Sequence, residues 1–232
     1  MLILAIDTAL DACAAAVLDT DAGKLIAQES QAMKRGHAEA LMPLIARVMK
    51  ASGIAFAALD RIAVTTGPVS FTVLHVAPSA ARGLALAAAK PVVGLTTLTA
   101  YAAPFVGDDS AHPILSAIDA RHDHVYFQVV SGDGGALVKA RVAPISEAIE
   151  AARLGAPHLV GNAAKILADR WPSDAPAPSR VDAQPAPDID WVAWVGAAVD
   201  PKTAPARPYY LRAPDAKPPR EALPNASQSS AS

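Results

Sequence analysis

The first third of the chain alternates short apolar runs with turn-forming residues, and this pattern predicts strands. The runs cover residues 2–8, 12–18 and 24–30. Apolar residues then recur at the spacing of one helix face, at Leu41, Leu44, Ile45 and Val48. This stripe predicts an amphipathic helix that begins near His37 and ends at Gly53.

The next stretch predicts a strand, a long alanine-rich helix and another strand. The strands are 61–66 and 92–95, and the helix runs over about 71–89. Pro78 falls inside this helix, where a proline removes one hydrogen bond and clashes with the preceding turn unless it lies in the first turn. We therefore expect the helix to begin near Ser79 or to kink at Pro78.

The second half of the chain contains another succession of strands and helices. We predict strands at 114–119, 125–130, 137–142 and 158–160, and helices at 145–153, 162–170 and 189–199. The Asp-Gly-Gly sequence at 133–135 is typical of a hairpin turn. The pattern therefore predicts an α/β protein with an N-terminal lobe, 1–106, and a C-terminal lobe, 107–212.

Proline separates this body from the end of the chain. Of the 20 prolines, 12 lie between Pro172 and Pro224, and Leu223 is the only bulky apolar residue beyond Arg212. A segment with so little apolar surface cannot offset the entropy cost of ordering. We therefore predict a disordered tail over 213–232.

Charge and cysteine content narrow the function classes. A net charge of −2 disfavours independent nucleic-acid binding. The single cysteine, Cys13, excludes a disulfide scaffold and favours a reducing compartment. No apolar run approaches the roughly 18 residues of a membrane span, and the first residues do not form a signal peptide. We therefore expect a cytoplasmic protein without membrane contacts.

Six motifs, in order from residue 1 to about 213, resemble those of the bacterial TsaB family. They are Ile-Asp-Thr-Ala at 6–9, the helix at 37–45, the loop and helix at 67–72 and 80–85, the strand at 91–98, Ile-Asp-Ala-Arg at 118–121, and Pro-Tyr-Tyr-Leu-Arg at 208–212. The resemblance implies the two-lobed actin/Hsp70/sugar-kinase-like (ribonuclease H-like) fold.

The resemblance also implies a role in making threonylcarbamoyladenosine beside the anticodon of tRNA. TsaB proteins are non-catalytic scaffold subunits that pair with the paralogous TsaD. A TsaE ATPase joins the assembly, and TsaB proteins often self-associate. By this resemblance we expect a TsaD-like paralogue, a TsaE-like ATPase and a second copy as partners, with tRNA contacted only within the complex.

One stretch departs from the family pattern. Val69, Val73, His75, Ala77 and Pro78 stand where Gly, Gly, Arg, Gly and Leu are usual. Valine adopts a positive φ only at a high conformational cost, and its side chain hinders the close backbone approach that a glycine permits. The chain could therefore be a degenerate homologue that has lost TsaD binding.

The residues do not form a recognisable catalytic, cofactor or metal site. The turn after the first strand, residues 7–12, lacks the glycine of a phosphate-binding turn. Leu41 stands four residues after His37, so the His-x-x-x-His pair of a TsaD-type metal site is absent. Cys13 lies in an apolar run, and Ser70 lacks the Gly-x-Ser-x-Gly context of a nucleophile. We predict no catalytic residue, cofactor or metal.

Two helices are the candidate partner interface. The first offers His37, Leu41, Leu44, Ile45 and Val48, and the second offers Phe71, Leu74, Pro78, Ala81 and Ala85. Small residues let helices approach closely, so such a pair could pack against two helices of another subunit. The alternatives are that both stripes cover the chain's own sheet, or that the chain is a kinase-like nucleotide-binding enzyme or a glycoprotease-like peptidase of the same fold.

Overall fold

The computed structural model describes residues 1–68, 75–108, 111–153 and 155–211. A mixed five-stranded sheet forms the first lobe. Its strands are β1 (Leu2–Asp7), β2 (Ala12–Asp19), β3 (Lys24–Ala32), β4 (Arg61–Thr65) and β5 (Val92–Leu95), in the order β3-β2-β1-β4-β5. The first three strands are antiparallel neighbours, whereas β1, β4 and β5 run parallel.

Two helices cover one face of this sheet. They are α1 (His37–Ser52) and α2 (Val76–Ala88). The apolar stripe of α1 is buried, and Gly53 ends the helix in the left-handed conformation with a φ of 67°, which glycine adopts without strain. The buried faces of α1 and α2 form one apolar core with the strands beneath them.

A second sheet has the same topology as the first. Its strands are β6 (Ile114–Asp119), β7 (His124–Val130), β8 (Ala136–Pro144), β9 (His158–Val160) and β10 (Arg180–Asp182), in the order β10-β9-β6-β7-β8. Again the first three strands are antiparallel neighbours, while β9 pairs with β6 in parallel and β10 pairs with β9 in parallel. Helices α4 (Ile145–Ala152) and α5 (Ala164–Asp169) complete this lobe. The two-lobed α/β prediction is confirmed.

A short helix and a separate core join the lobes. Helix α3 (Thr97–Ala102) follows β5 and leads into a 3₁₀ turn at Ala103–Phe105. Thr96 begins α3, because its side-chain oxygen accepts a hydrogen bond from the Thr99 amide at 3.0 Å. An inter-lobe cluster forms here from Leu98, Tyr101, Ala102, Phe105, Ile114, Ile118 and Val160.

The last helix, α6 (Ile189–Ala198), returns to the first lobe. It contacts β1, β2, β4 and β5 on the face opposite α1 and α2. Arg61 at the start of β4 donates from Nη1 to the carbonyl oxygens of Gly196, Ala197 and Val199, at 2.7–3.0 Å. This cation satisfies carbonyls that the helix end leaves unpaired. The last helix of the predicted lobe 107–212 therefore packs with residues of the lobe 1–106.

The structure corrects the expectation for Pro78. Helix α2 begins at Val76 rather than near Ser79, so Pro78 is its third residue. The Ser79 amide already donates to the His75 carbonyl oxygen at 3.0 Å, so the helical bonds begin one residue after the proline. Pro78 therefore removes no hydrogen bond, because amides of the first turn have no partner within a helix. Residues 71–74 of the predicted helix lie outside the described residues.

Four smaller features were not predicted: α3, β10 and the 3₁₀ turns at Phe56–Ala58 and Ala103–Phe105. Within the described ranges, no helix is both long and apolar enough to cross a membrane. The predicted tail, 213–232, lies outside the described residues.

Candidate functional site

Asp7 ends β1 at the edge of the first sheet, and its carboxyl group is fully buried. Its Oδ1 accepts hydrogen bonds from the Thr65 hydroxyl and, at 2.9 Å, from the Ala9 amide. Its Oδ2 has no hydrogen-bond partner among the described residues. Burial raises the pKa of Asp7 to about 7, because removal from water penalises the charged form more than the two hydrogen bonds favour it.

The turn after β1 is the position where a phosphate-binding turn would lie. The Ala9 amide, which such a turn would offer to a phosphate, is bound to the Asp7 carboxylate. Leu10 has a left-handed backbone with a φ of 61°, although it carries a branched side chain. The Thr65 hydroxyl and the Ala9 amide both donate to the Asp7 carboxylate, so these hydrogen bonds join the end of β4 to the end of β1.

The second lobe has an equivalent carboxylate, Asp119, at the end of β6. Its amide donates to Oδ1 of Asn162 at 2.9 Å, and its own Oδ1 accepts from the Arg121 amide at 2.8 Å. Arg121 also pairs with Asp119 at 3.3 Å while remaining exposed. The two Arg121 contacts are local to one turn, which is the ordinary structural pairing of a strand-end Asp and Arg, whereas the Asn162 contact ties the end of β6 to the segment after β9.

The histidines are dispersed over both lobes. His158 donates or accepts a hydrogen bond with Asp182 at 2.7 Å, and burial lowers its pKa. His124 bonds the backbone of His122, and His37 is buried at the start of α1. In the part of the chain that the structure describes, no three His, Cys, Asp or Glu residues are grouped so that they could hold a metal ion.

Cys13 lies inside β2 and is fully buried. Burial raises the pKa of its thiol to about 11, so the thiolate that a nucleophile requires is scarce at neutral pH. Ser70 lies outside the described residues.

The apolar stripes of the two candidate helices face the chain's own core. His37, Leu41, Leu44, Ile45, Val48, Pro78, Ala81 and Ala85 are all buried. Phe71 and Leu74 lie outside the described residues, as do Val69 and Val73 of the altered loop. In the folded chain, any partner surface on α1 and α2 must therefore use the opposite, exposed faces of these helices.

Those exposed faces carry apolar residues that the stripe did not indicate. Leu86 of α2 is 85% exposed and Met42 of α1 is 47% exposed. The same two helices also expose small residues, namely Ala38, Pro43, Ala46, Gly83 and Ala87. Because α1 and α2 contact each other, we call these seven residues the two-helix surface. The sequence contained a signal for this surface, because Leu86 and Met42 are bulky apolar residues that fall outside the spacing of the buried stripes.

The altered loop meets the closing segment of the chain. His75, immediately before α2, forms a hydrogen bond of 2.6 Å between its Nε2 and the hydroxyl of Tyr210. The Tyr209 amide donates to the Thr66 carbonyl oxygen at 2.8 Å, and the Gly94 amide donates to the Ala204 carbonyl oxygen at 2.9 Å. Residues 204–211 thus lie along the first lobe next to α2, where Ala77 is buried.

Comparisons with known proteins agree with this architecture. A sequence model of the family described as "TsaD: tRNA N6-adenosine threonylcarbamoyltransferase" matches residues 24–165, more than half of the chain. The "tRNA threonylcarbamoyladenosine biosynthesis protein TsaB" of Haemophilus influenzae is 35% identical over 128 residues, which are 55% of this chain and 53% of that protein. The match thus spans about half the length of this TsaB relative.

Two further matches extend over nearly the whole chain. An uncharacterized protein of Mycobacterium tuberculosis is 30% identical over 220 residues, covering 93% of this chain and 94% of that protein. The solved structure of YeaZ from Pseudomonas aeruginosa has a TM-score of 0.71 and 27% identity, covering 90% of this chain and 99% of that chain. The duplicated sheet topology agrees with these matches. The chain therefore belongs to the TsaB (YeaZ) family, within the wider group that the TsaD sequence model describes.

Proposed function

We propose that the chain takes part in tRNA threonylcarbamoyladenosine synthesis as a non-catalytic scaffold that pairs with a TsaD-like paralogue. The observation that carries this proposal is the two-helix surface, which exposes Leu86 and Met42 together with small residues of the same two helices. An apolar side chain that is 85% exposed loses its contact with water when a partner helix covers it, which favours association. The relatives named for this pathway support the choice of process.

The small residues determine which kind of partner fits. Ala46, Gly83 and Ala87 leave room for a second pair of helices to approach closely. Leu86 and Met42 then supply the side chains that fill the space between the two pairs. A paralogue with the same pair of helices has the shape that this surface requires, and a second copy of this chain would use it in the same way.

The turn after β1 favours a scaffold over an enzyme. The Asp7 carboxylate already accepts two hydrogen bonds within the chain, and its raised pKa leaves it about half protonated near pH 7. A neutral carboxyl is a weak partner for a metal–nucleotide complex. In this proposal the chemistry belongs to the TsaD-like subunit, a TsaE-like ATPase joins the assembly, and tRNA contacts the chain only within the complex.

Co-purification with the cognate TsaD-like protein tests the pairing. We expect Leu86→Asp and Met42→Asp each to weaken binding at least tenfold, because each places a charge in an apolar contact. Leu137→Asp is the matched control, since Leu137 is 48% exposed but lies on β8 of the second lobe. Wild-type affinity in both helix variants would exclude this surface.

A separate measurement distinguishes the scaffold from an enzyme of the same fold. Titration calorimetry with ATP and Mg²⁺ should give no binding heat for the isolated chain, and a peptide library should remain uncleaved. Saturable ATP binding, or cleavage lost in Asp7→Asn, would favour the kinase-like or peptidase-like alternative. If the wild-type chain does not bind the TsaD-like protein at micromolar concentration, the degenerate-homologue alternative is favoured.

A further inference from the structure

A small polar cavity lies at the β9–β10 edge of the second sheet, whereas the two-helix surface belongs to the first lobe. Its volume is about 290 Å³. Sites that enclose drug-sized ligands measure about 300–1,000 Å³, so this cavity suits a smaller molecule. Its lining includes Phe105, Asp108, Ile114, His158 and Arg180. We call it the β10 cavity.

Two opposite charges line this cavity without pairing with each other. Asp108 contributes an exposed carboxylate, and Arg180 contributes a guanidinium group whose ion pair, at 2.7 Å, is with Asp182. Burial is the main cause of the lowered pKa of His158; of the weaker causes, Arg180 lowers it and Asp108 raises it, so both charges lie near this imidazole. The side chain of His112 also lines the cavity.

Arg180 keeps hydrogen-bond donors for a ligand. Arginine has five N–H groups, and the contacts with Asp182 engage only Nε, at 2.7 Å, and Nη2, at 3.4 Å. The guanidinium carbon lies 5.2 Å from the centroid of the Phe105 ring, so the group is held over this ring. A guanidinium fixed in this way can bind a carboxylate through two parallel hydrogen bonds.

The wall that His158 forms is fixed before any ligand binds. Its Nε2 forms a hydrogen bond of 2.7 Å with Oδ2 of Asp182, and its ring packs edge-on against Phe105 with 4.0 Å between the ring centroids. Its amide donates to the Pro113 carbonyl oxygen at 2.8 Å. Because these groups are already ordered, little conformational entropy is lost when a small ligand binds against them.

The ligand that fits this lining carries one anionic and one cationic group close together. A phosphate or another polyanion would gain from Arg180 but would be repelled by Asp108 and Asp182. A simple amine would gain from Asp108 but would be repelled by Arg180.

We propose that the β10 cavity binds a free α-amino acid with a short side chain. Its carboxylate lies on Arg180 and its ammonium group on Asp108. Phe105 and Ile114 supply the apolar surface for the side chain of the ligand. The small volume of the cavity excludes a nucleotide and favours an amino acid.

An NMR titration of the full-length chain with L-alanine tests this site. Histidine is labelled with ¹³C at Cε1, and the signal of His158 is identified by its loss in His158→Gln. We expect L-alanine to shift this signal saturably at concentrations up to about 10 mM. The signal of His37, which is buried at the start of α1 in the first lobe, is the internal control and should not move.

Acetate and methylamine each carry one of the two charged groups, so neither should shift the His158 signal as L-alanine does. An equal shift with acetate or with methylamine would overturn the two-charge site. If L-alanine, L-serine and glycine all leave the signal in place, the proposal is wrong.

Three variants connect the binding to the named charges. Asp108→Asn and Arg180→Gln should each weaken L-alanine binding about tenfold or more, because each removes one of the two charges. Asp108→Asn is the stricter test, since it leaves the contacts among His158, Asp182 and Arg180 in place. Arg170→Gln is the matched control: its side chain is 51% exposed against 58% for Arg180, and it also pairs with an aspartate. Unchanged affinity in Asp108→Asn, or an equal loss in Arg170→Gln, would overturn the proposal.

Discussion

Replacing Asp7 by Asn should remove a pH dependence from the stability of the protein. The ordinary pKa of an aspartate is 3.8, and burial raises that of Asp7 to about 7. Below pH 3.8 the carboxyl is protonated in both the folded and the unfolded chain. As the pH rises toward 7, the unfolded chain releases this proton while the folded chain retains it, so the free energy of unfolding falls; above about pH 7 it is level.

The size of the effect follows from the same two pKa values. At about 1.4 kcal/mol for each pKa unit, they correspond to a loss of about 4 kcal/mol between pH 4 and pH 7. In Asp7→Asn, the side-chain oxygen can still accept from Thr65 and Ala9, but the new amide nitrogen takes the place of an oxygen without a described partner. An unpartnered buried donor costs about 1–3 kcal/mol. We therefore expect Asp7→Asn to be about 1–3 kcal/mol more stable than wild type at pH 8, and no more stable at pH 4.

Urea unfolding followed by tryptophan fluorescence, at intervals from pH 4 to pH 8, measures both curves. His158 titrates in the same way in the two proteins, so their difference isolates Asp7. Asp11→Asn is the matched control, because it removes an exposed carboxylate from the same turn. Parallel curves for wild type and Asp7→Asn between pH 5 and pH 7 would refute a buried, proton-holding Asp7.

Two further predictions concern the packing of α6. Arg61→Met should lower the free energy of unfolding by about 1–3 kcal/mol, because three carbonyl oxygens at the end of α6 lose their donor; an unchanged urea midpoint would contradict this. Gly196→Ala should cost about 1–3 kcal/mol, since its Cβ would lie 2.2 Å from Cβ of Ala63. Gly83→Ala is the control, because no atom lies within 4 Å of the added Cβ, and it should stabilise α2 by about 0.5–1 kcal/mol. Thermal and urea unfolding measure both variants. Equal effects of the two substitutions would count against the close contact between Gly196 and Ala63.

Sequence patterns predicted most of the helices and strands, because these elements are determined largely by residues that are close together in the chain. The stripe from Leu41 to Val48 and the glycine at 53 located α1 to within a residue. The strand β10 escaped notice because its three residues lie in a proline-rich stretch and gain their order from β9 and the His158–Asp182 contact. Helix α3 has six residues, which is too few for a periodic pattern.

Sequence patterns did not predict the contacts between residues that are far apart in the chain. The position of α6 depends on Arg61 and Ala63, which lie more than 130 residues earlier in the chain. The sequence shows that Asp7 lies near the end of the first predicted strand, but its burial and its hydrogen bond with Thr65 depend on the folded structure. The two-helix surface shows the same limit: a stripe indicates which face is apolar, whereas only the fold shows that Leu86 remains exposed.

The return of α6 to the first sheet constrains how the protein is made. Ile3, Ala5 and Leu18 on one face of that sheet are covered by a helix that ends at Ala198, about 100 residues after β5. At about 5–20 residues per second, the ribosome needs roughly 5–20 s to synthesise the intervening chain. During this interval the first lobe has an uncovered apolar face, so a chaperone that shields it would serve nascent chains more than finished ones. A ribosome stalled after β5 would therefore display a lobe that binds such chaperones, and one stalled well after α6 has emerged would not.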